Sequence, residues 1–226
     1  MRNVLIQIGD LEFSYGRGDF RLLIPALRIR AQEQVAIIGP SGSGKTTLLN
    51  LIAGIAVPES GTVRVGEHEV SGLHDAARRD FRIRHIGFVF QDFELVEFLS
   101  IYDNVLHPFR ISSALQLSEE VIHRAVHLMK SMGLEDKLYR KPGQLSQGEK
   151  QRAALCRAML PDPQIVLADE PTGNLDPDAK LQVVKYLSVH ARESGATLVM
   201  VTHDHSLLGH FDRVIDFAEF SSGKAA

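Results

Sequence analysis

Residues 35–46 form an apolar strand that runs directly into a glycine-rich turn: Val35-Ala36-Ile37-Ile38-Gly39-Pro40-Ser41-Gly42-Ser43-Gly44-Lys45-Thr46. From Thr46 to Ala53 apolar residues recur with helical periodicity, and Gly54 follows as a C-terminal cap. A glycine, four residues, a second glycine, a lysine and a hydroxyl residue between a strand and a helix are typical of a phosphate-binding loop. A chance glycine-rich turn is the alternative, and the flanking strand and helix argue against it.

The residue types of this loop suit phosphate chemistry. Glycines let backbone N–H groups curl around phosphates, and a helix N-terminus adds partial positive charge. Lys45 can reach the outer phosphates, and the Thr46 hydroxyl can hold Mg²⁺. We therefore expect nucleotide contacts from Gly39, Pro40, Ser41, Gly42, Ser43, Gly44, Lys45, Thr46 and Thr47.

A second apolar strand, Ile165 to Ala168, ends in two adjacent acids, Asp169 and Glu170. Ligands bind at the carboxyl ends of strands in α/β sheets, so Asp169 is placed to serve Mg²⁺. Neighbouring strand residues face opposite ways, so Glu170 can approach an attacking water only at a bend, which Pro171 favours. Solvated acids at a strand end are the alternative; the phosphate loop favours the functional interpretation.

The flanking segments predict an antiparallel β layer. Leu5 to Ser14 and Phe20 to Ile29 alternate apolar with polar residues, which predicts one strand pair. Thr62 to Val65 and His68 to Val70 predict a second pair joined by a tight turn. Ile86 to Phe90 is dense in β-favouring residues, and we expect it to extend this layer.

Helical periodicity then replaces the strand pattern. Ser118, followed by two glutamates, predicts a helix N-cap within this region. Further along, the strands Ile165 to Ala168 and Thr197 to Val201 are separated by a helix that runs from near Pro177 to Gly195. A strand, a helix and a second strand predict a right-handed parallel crossover.

Together these elements predict an α/β fold of the P-loop NTPase kind. Its parts are a mostly parallel core sheet flanked by helices, an antiparallel β subdomain and an inserted helical subdomain. We expect a single domain over residues 1–226. Within it, residues 1–91 and 161–226 would form the nucleotide-binding core, and residues 92–160 the helical subdomain.

Composition limits the kinds of partner and the cellular compartment that we expect for this protein. The formal net charge of −3 gives no excess of Lys and Arg, so we expect no nucleic-acid partner. The single cysteine, Cys156, fits a reducing compartment, and residues 1–13 carry no export-signal pattern. No apolar stretch is long enough to cross a bilayer, so we expect a cytoplasmic protein whose membrane role comes through another chain.

Leu145-Ser146-Gln147-Gly148-Glu149-Lys150-Gln151-Arg152 resembles the signature segment of the ATP-binding cassette ATPases, and the resemblance runs from Tyr15 to about Phe217. It implies that the segment's serine and second glycine hold the γ-phosphate of ATP bound to a second copy of the chain. The nucleotide contacts implied in trans are Ser146, Gln147, Gly148 and Glu149. Gln147 departs from the family's glycine, and a plain helix N-cap would explain Ser146 alone.

The same resemblance implies roles for isolated residues elsewhere. Gln91 is similar to the family's glutamine that contacts metal and water, and Tyr15 to the aromatic residue that stacks on adenine. His203 resembles the histidine that contacts the γ-phosphate, with a carboxylate orienting its other nitrogen. The resemblance thus implies ATP and Mg²⁺ as ligands, with Glu170, His203 and Gln91 as catalytic residues and Thr46, Gln91 and Asp169 at the metal. His203-Asp204-His205 alone is too small a group for zinc.

The loop from Pro171 to Asp176, including Asn174, is most similar to the subgroup that powers lipoprotein release, macrolide export and the division-site complex. That subgroup implies an integral membrane permease docked near residues 92–105, and hence a position on the cytoplasmic face of the inner or plasma membrane. Leu95, Phe98 and Leu99 could line the dock or could equally be core. The chain departs from the subgroup after Asp216, where the usual closing strand pair is replaced.

We therefore expect an ATP-hydrolysing transporter subunit in which Glu170 deprotonates the attacking water. A regulatory ATPase that signals to a membrane or envelope partner without moving a substrate is the alternative, and these motifs do not separate the two. A P-loop GTPase or a small-molecule kinase lacks support, because no guanine-reading Asn-Lys-x-Asp segment occurs and neither class explains the segment from Leu145 to Arg152. A DNA-repair clamp lacks support because no long coiled coil splits the motifs.

Overall fold

The computed structural model describes residues 3–16, 20–173, 175 and 177–220. Asn174 and Asp176, which the subgroup resemblance involves, lie outside the described residues. The strands in chain order are β1 (Val4–Ser14), β2 (Arg21–Arg30), β3 (Gln34–Ile38), β4 (Ser60–Val65), β5 (His68–Glu69), β6 (Ile86–Val89), β7 (Ile165–Asp169), β8 (Thr197–Val201) and β9 (Arg213–Asp216). The helices are α1 (Lys45–Ile52), α2 (Asp75–His85), α3 (Ile101–Ile111), α4 (Glu119–Ser131), α5 (Gln147–Met159) and α6 (Pro177–Ser194).

The first sheet is antiparallel, with its strands in the order β2-β1-β4-β5. Both predicted strand pairs are confirmed, β1 with β2 and β4 with β5. Period-two alternation puts Ile6, Ile8, Leu22 and Ile24 on the inner face, where they are fully or almost fully buried. This face shares one core with the leucines of α1, so the antiparallel layer braces the helix that follows the phosphate loop.

The second sheet is parallel, with its strands in the order β6-β7-β8-β3-β9. Every residue of β7 and β8 is buried, because a parallel sheet covered on both faces needs continuous apolar strands. Parallel strands end at a common edge. The segments that follow β3, β6, β7 and β8 therefore meet along one side of the sheet, where the candidate site lies.

The expectation that Ile86 to Phe90 extends the antiparallel layer was wrong. β6 is an edge strand of the parallel sheet and pairs with β7, with Ile86 opposite Ile165. All four β6 residues are buried, as in the other parallel strands. The strand propensity of these residues indicates a strand but not its sheet, since the pairing partner lies far away in the chain.

Helices α3, α4 and α5 follow β6 and pack together against the face of the parallel sheet opposite the antiparallel layer. The Ser118 cap is confirmed, because its hydroxyl accepts the Val121 N–H at the start of α4. Helix α5 also lies directly against β6: a Cβ at Gly87 would lie 2.4 Å from the Ala158 carbonyl oxygen. The confirmed fold class is therefore α/β, with a parallel sheet, an antiparallel sheet and helices.

The last described strand, β9, forms one edge of the parallel sheet. β9 pairs with β3 in parallel, with Ala36 opposite Val214. After β9 the chain turns through Phe217, which is fully buried and lies against the phosphate loop: a Cβ at Gly39 would lie 3.1 Å from the Cβ of Phe217. The atypical end thus supplies a fifth strand and supports the loop.

Across the described ranges, no helix is both long and apolar enough to span a bilayer.

Candidate functional site

The phosphate loop joins β3 to α1 through a backbone that only glycine adopts readily. Gly44 has φ +100° and is the N-cap of α1, and as a glycine it has no side chain with which to cap that helix. The N–H groups of its first turn are therefore available to a ligand. Ser43 adds a buried hydroxyl that makes no hydrogen bond to any described residue. A buried polar group without a partner fits a loop built to surround a phosphate.

Lys45 lies inside the loop rather than in solvent. Its ammonium donates to the Gly39 carbonyl at 2.9 Å and to the Pro40 carbonyl at 2.7 Å, and the residue is only 7% exposed. These bonds hold the cation under the turn with one of its three N–H donors to spare. A phosphate that enters the loop therefore meets a positive charge already in place.

Asp169 ends β7 and is buried beside the first residues of α1. Burial raises the pKa of this carboxyl, as does the charge of Glu170, whereas a hydrogen bond from Thr46 and the charge of Lys45 oppose the rise. The hydroxyl and the carboxylate that the sequence assigns to Mg²⁺ are thus brought together. Oxygen donors of this kind are the ligands that Mg²⁺ prefers.

Asp169→Asn is expected to raise the free energy of unfolding of the nucleotide-free protein by on the order of 1 kcal/mol at neutral pH. The amide is cheaper to bury than a carboxylate and still accepts from Thr46. Because the pKa of Asp169 is raised, the folded state binds this proton more tightly than the unfolded chain does. Ionisation of Asp169 above that pKa therefore lowers wild-type stability, and the gain from asparagine should shrink as pH falls through the pKa. Urea unfolding at several pH values measures this.

The control for that experiment is Asp80→Asn, which changes an exposed carboxylate on α2 and should leave stability unchanged. The variant at Asp169 should also lose Mg²⁺-dependent ATP turnover, since the amide is a poor metal ligand. An Asp169→Asn protein that is less stable than the wild type at neutral pH would contradict this account.

Glu170 lies at the bend that the sequence predicts. Its φ is +43°, a left-handed conformation that is costly for a residue with a Cβ, and its N–H donates to the Val201 carbonyl of β8 at 3.1 Å. The bend directs its carboxylate to His203, with Oε2 3.1 Å from Nδ1. The strain is therefore tied to a specific contact between two residues expected to be catalytic.

His203 follows β8 and is largely exposed. With Nδ1–H donated to Glu170, Nε2 is the nitrogen left for a ligand, and it donates to a phosphate oxygen only when the ring is protonated. The next residue, Asp204, bonds to Lys180 at 3.1 Å and to Ser206. This ion pair, which the sequence analysis missed, ties the histidine segment to α6.

Tyr15 and Thr47 contact each other. The Tyr15 hydroxyl lies 3.1 Å from the Thr47 Oγ1, and the ring packs edge-on against Phe13. Tyr15 is still 55% exposed, so its ring borders the start of α1 and remains open to a ligand. Thr47, expected to contact nucleotide, is buried and its hydroxyl is engaged with Tyr15. Gln91 is exposed in the turn after β6, at the sheet edge where Asp169 lies.

The signature residues form the first turn of α5. The Ser146 Oγ accepts the Glu149 N–H at 3.3 Å, and the Glu149 Oε2 accepts the Ser146 N–H at 2.8 Å, which is a capping box. That backbone N–H lowers the pKa of Glu149. Gln147 begins the helix without a positive φ, so its departure from glycine needs no special backbone here. Gly148 lies in the same turn, and both Ser146 and Gln147 are exposed.

The structure also contains a groove that sequence reasoning did not find. A cavity of about 630 Å³ lies between α2, β6, α3 and α5, and we call it the lateral groove. Its walls include Arg79, Arg82, Phe88, Ile111 and Arg157. These residues come from three separate stretches of the chain, 76–94, 107–113 and 157–161, so no local pattern indicates their proximity.

A glycine-rich loop that opens a helix, a lysine held within it and an acid pair at a strand end define a P-loop nucleotide hydrolase. The ABC transporter family profile matches residues 24–173. The chain is 43% identical to a lipoprotein-releasing system ATP-binding protein LolD of Chromohalobacter salexigens over 84% of this chain and 79% of that protein. The chain belongs to the ABC transporter family and is one of its ATPases.

Two further comparisons agree. The chain is 41% identical to a macrolide export ATP-binding/permease protein MacB of Rhodopirellula baltica, over 93% of this chain and 31% of that longer protein. The dimeric structure of MJ0796, a bacterial ABC transporter cassette, superposes with a TM-score of 0.85 at 35% identity, over 94% of each chain. A post-hydrolysis dimer of MJ0796 bound to ADP and Pi superposes with a TM-score of 0.83. The family resemblance stated from the sequence is thereby confirmed.

Proposed function

We propose that this chain is the ATP-hydrolysing subunit of a transporter, and that two copies close on two ATP molecules to work on a separate membrane permease. One observation carries the proposal: the phosphate loop opens α1 and the exposed Ser146 turn opens α5, so one chain presents two separate helix starts that could each receive an anion. In a dimer, the phosphate loop of one copy would face the Ser146 turn of the other copy. The dimeric cassettes that resemble this chain support that arrangement.

Within one half-site, we assign the binding of ATP phosphates to Lys45 and the N–H groups of the loop. Thr46 and Asp169 would hold Mg²⁺, with Gln91 at the same sheet edge, and the ion would neutralise charge on the phosphate oxygens. Glu170 would accept a proton from the attacking water, and its contact with His203 fixes the orientation of the carboxylate. Tyr15 would stack on the base.

The side of the nucleotide site that faces the phosphate loop would come from the Ser146 turn of the second copy. In the capping box the Ser146 Oγ accepts a hydrogen bond, so its own proton remains free to donate to a γ-phosphate. The N-cap and the anion contact are therefore compatible rather than alternative roles. Gln147, Gly148 and Glu149 would contribute to this side chiefly through the backbone N–H groups of the first turn of α5.

The permease would dock near residues 92–105. Phe98 is 76% exposed, whereas Leu95 and Leu99 are half-buried. The loop that carries Phe98 is fixed by buried Asn104, whose amide bonds Val96, Leu99 and Ser100. A rigidly presented aromatic ring is a typical interface anchor. Docking there would hold the chain on the cytoplasmic face of the membrane.

The dimer is tested with Glu170→Gln, which should retain Mg-ATP. Light scattering is expected to show a dimer with Mg-ATP and a monomer without it. Adding Ser146→Ala should abolish the dimer, because the donor to the γ-phosphate is lost. Adding Ser118→Ala is the matched control: it removes an equivalent N-cap, at 3.3 Å from the Val121 N–H, outside the site.

A monomer at saturating Mg-ATP, or a dimer that persists with Ser146→Ala, would refute the proposed closure. Coupling to a permease is tested by co-purification with a membrane protein encoded beside this chain, with Phe98→Ala as the disrupting variant. ATP-driven movement of a substrate by that complex in vesicles would support transport. ATP-dependent signalling without movement would support the regulatory alternative.

A further inference from the structure

The turn after Gln91 holds two consecutive residues in the left-handed region. Phe93 has φ +63° and Glu94 has φ +50°, although neither is glycine. A tight turn accompanies them, with the Glu94 N–H bonded to the Asp92 carbonyl at 2.7 Å. Side chains with a Cβ disfavour this region, so two such residues in succession persist only where surrounding groups hold them.

Arg157 is the group that holds this turn. Its guanidinium donates through Nη2 to the Phe93 carbonyl at 2.6 Å and through Nη1 to the Glu94 carbonyl. Burial lowers the pKa of Arg157, and the charge of Glu94 opposes that effect. A planar guanidinium presents its donors as a fixed fork, which suits two adjacent carbonyls and which an ammonium does not reproduce.

Arg157 belongs to α5, the helix whose first turn contains Ser146. The same helix touches β6 at Gly87, where a Cβ would lie 2.4 Å from the Ala158 carbonyl oxygen. The segment that bears Gln91 is therefore fixed to α5 on both sides: through β6 before it and through Arg157 after it. Displacing α5 would displace Gln91 with it.

We propose that Arg157 is a positioning residue for ATP hydrolysis, which sets the place of Gln91 by clamping residues 93–94 to the signature helix. This inference rests on the catalytic role proposed for Gln91. It links two parts of the composite site within one chain: the turn that would contact one nucleotide and the helix that would contact the other. In this proposal Arg157 acts through Gln91 and needs no contact of its own with ATP.

The test is Arg157→Lys, which keeps the positive charge and removes the fork. The expected result is a fall of about 10–100-fold in kcat, with KM for ATP changed by less than about threefold. The control is Arg124→Lys, since Arg124 on α4 also donates to a main-chain carbonyl, that of Leu160, at 2.8 Å. This control should keep wild-type kcat.

A double-mutant cycle separates positioning from mere structural support. In a Gln91→Ala background Arg157→Lys should cause little further loss, because the residue that it positions is already gone. Amide hydrogen exchange should become faster at residues 92–95 and stay unchanged in α4. Glu94→Gly should restore part of the lost turnover, because glycine adopts the left-handed turn without the clamp.

The outcomes are distinguishable. Slow turnover in Gln91→Ala beside normal turnover in Arg157→Lys would overturn the role of Arg157 alone. Normal turnover in both variants would overturn the proposed role of Gln91 as well. Equal losses from Arg157→Lys with and without Gln91 would show that the arginine acts elsewhere and would also overturn the inference.

Discussion

Glu170→Gln is expected to lower kcat for ATP hydrolysis by about 10²–10⁴-fold while leaving ATP affinity near the wild-type value. The amide matches the carboxylate in shape and still accepts a hydrogen bond from His203, so the bend at Glu170 should persist. It cannot take a proton from water, which removes the step assigned to this residue. Phosphate release measures kcat, and titration with a fluorescent ATP analogue measures affinity.

The control for this prediction is Glu193→Gln, which changes an exposed glutamate on α6. It should leave both kcat and affinity unchanged. Turnover within a few-fold of the wild type in Glu170→Gln would mean that another group accepts the proton. A parallel loss of ATP affinity would instead indicate that the substitution disturbs the strained bend.

Lys45→Ala is expected to weaken ATP binding by about 2–5 kcal/mol, since it removes a charge-assisted contact from a buried site. Its effect should exceed that of any other single change in the loop. Lys45 also ties the carbonyls of Gly39 and Pro40 together, so the variant should loosen the loop before nucleotide arrives. Affinity is measured by analogue titration, and loop order by hydrogen exchange of residues 39–44.

Lys130→Ala is the matched control, because Lys130 pairs with Glu135 at the surface and both side chains are more than half exposed. Such a pair contributes little, and the variant should bind ATP normally. Wild-type affinity in Lys45→Ala would remove the phosphate role from the loop.

The site can be predicted largely from local sequence because its parts are local. The loop from Gly39 to Thr46 combines its glycines, lysine and hydroxyl within eight residues. The pair Asp169 and Glu170 needs only a strand and a bend. Their convergence could also be anticipated, since parallel strands bring their carboxyl ends to one edge.

Other contacts could not be predicted, because they join segments that the sequence keeps apart. The placement of β6 beside β7 depends on which distant strand it meets, and strand propensity does not indicate that choice. Arg157 meets Phe93 and Glu94 only because α5 crosses β6. The engagement of the Thr47 hydroxyl by Tyr15 likewise depends on how the antiparallel layer lies over α1.

The sequence by itself thus determined the family and the reaction and predicted the residues at the phosphates, since all of these depend on short stretches whose chemistry is fixed by their order. Only the tertiary structure showed how the pieces are held: Lys45 turned into its own loop, Glu170 strained toward His203, and the Gln91 turn clamped by Arg157. The physical reason is the range of the interactions. Local patterns fix backbone turns, whereas the packing of helices on sheets selects which distant side chains meet.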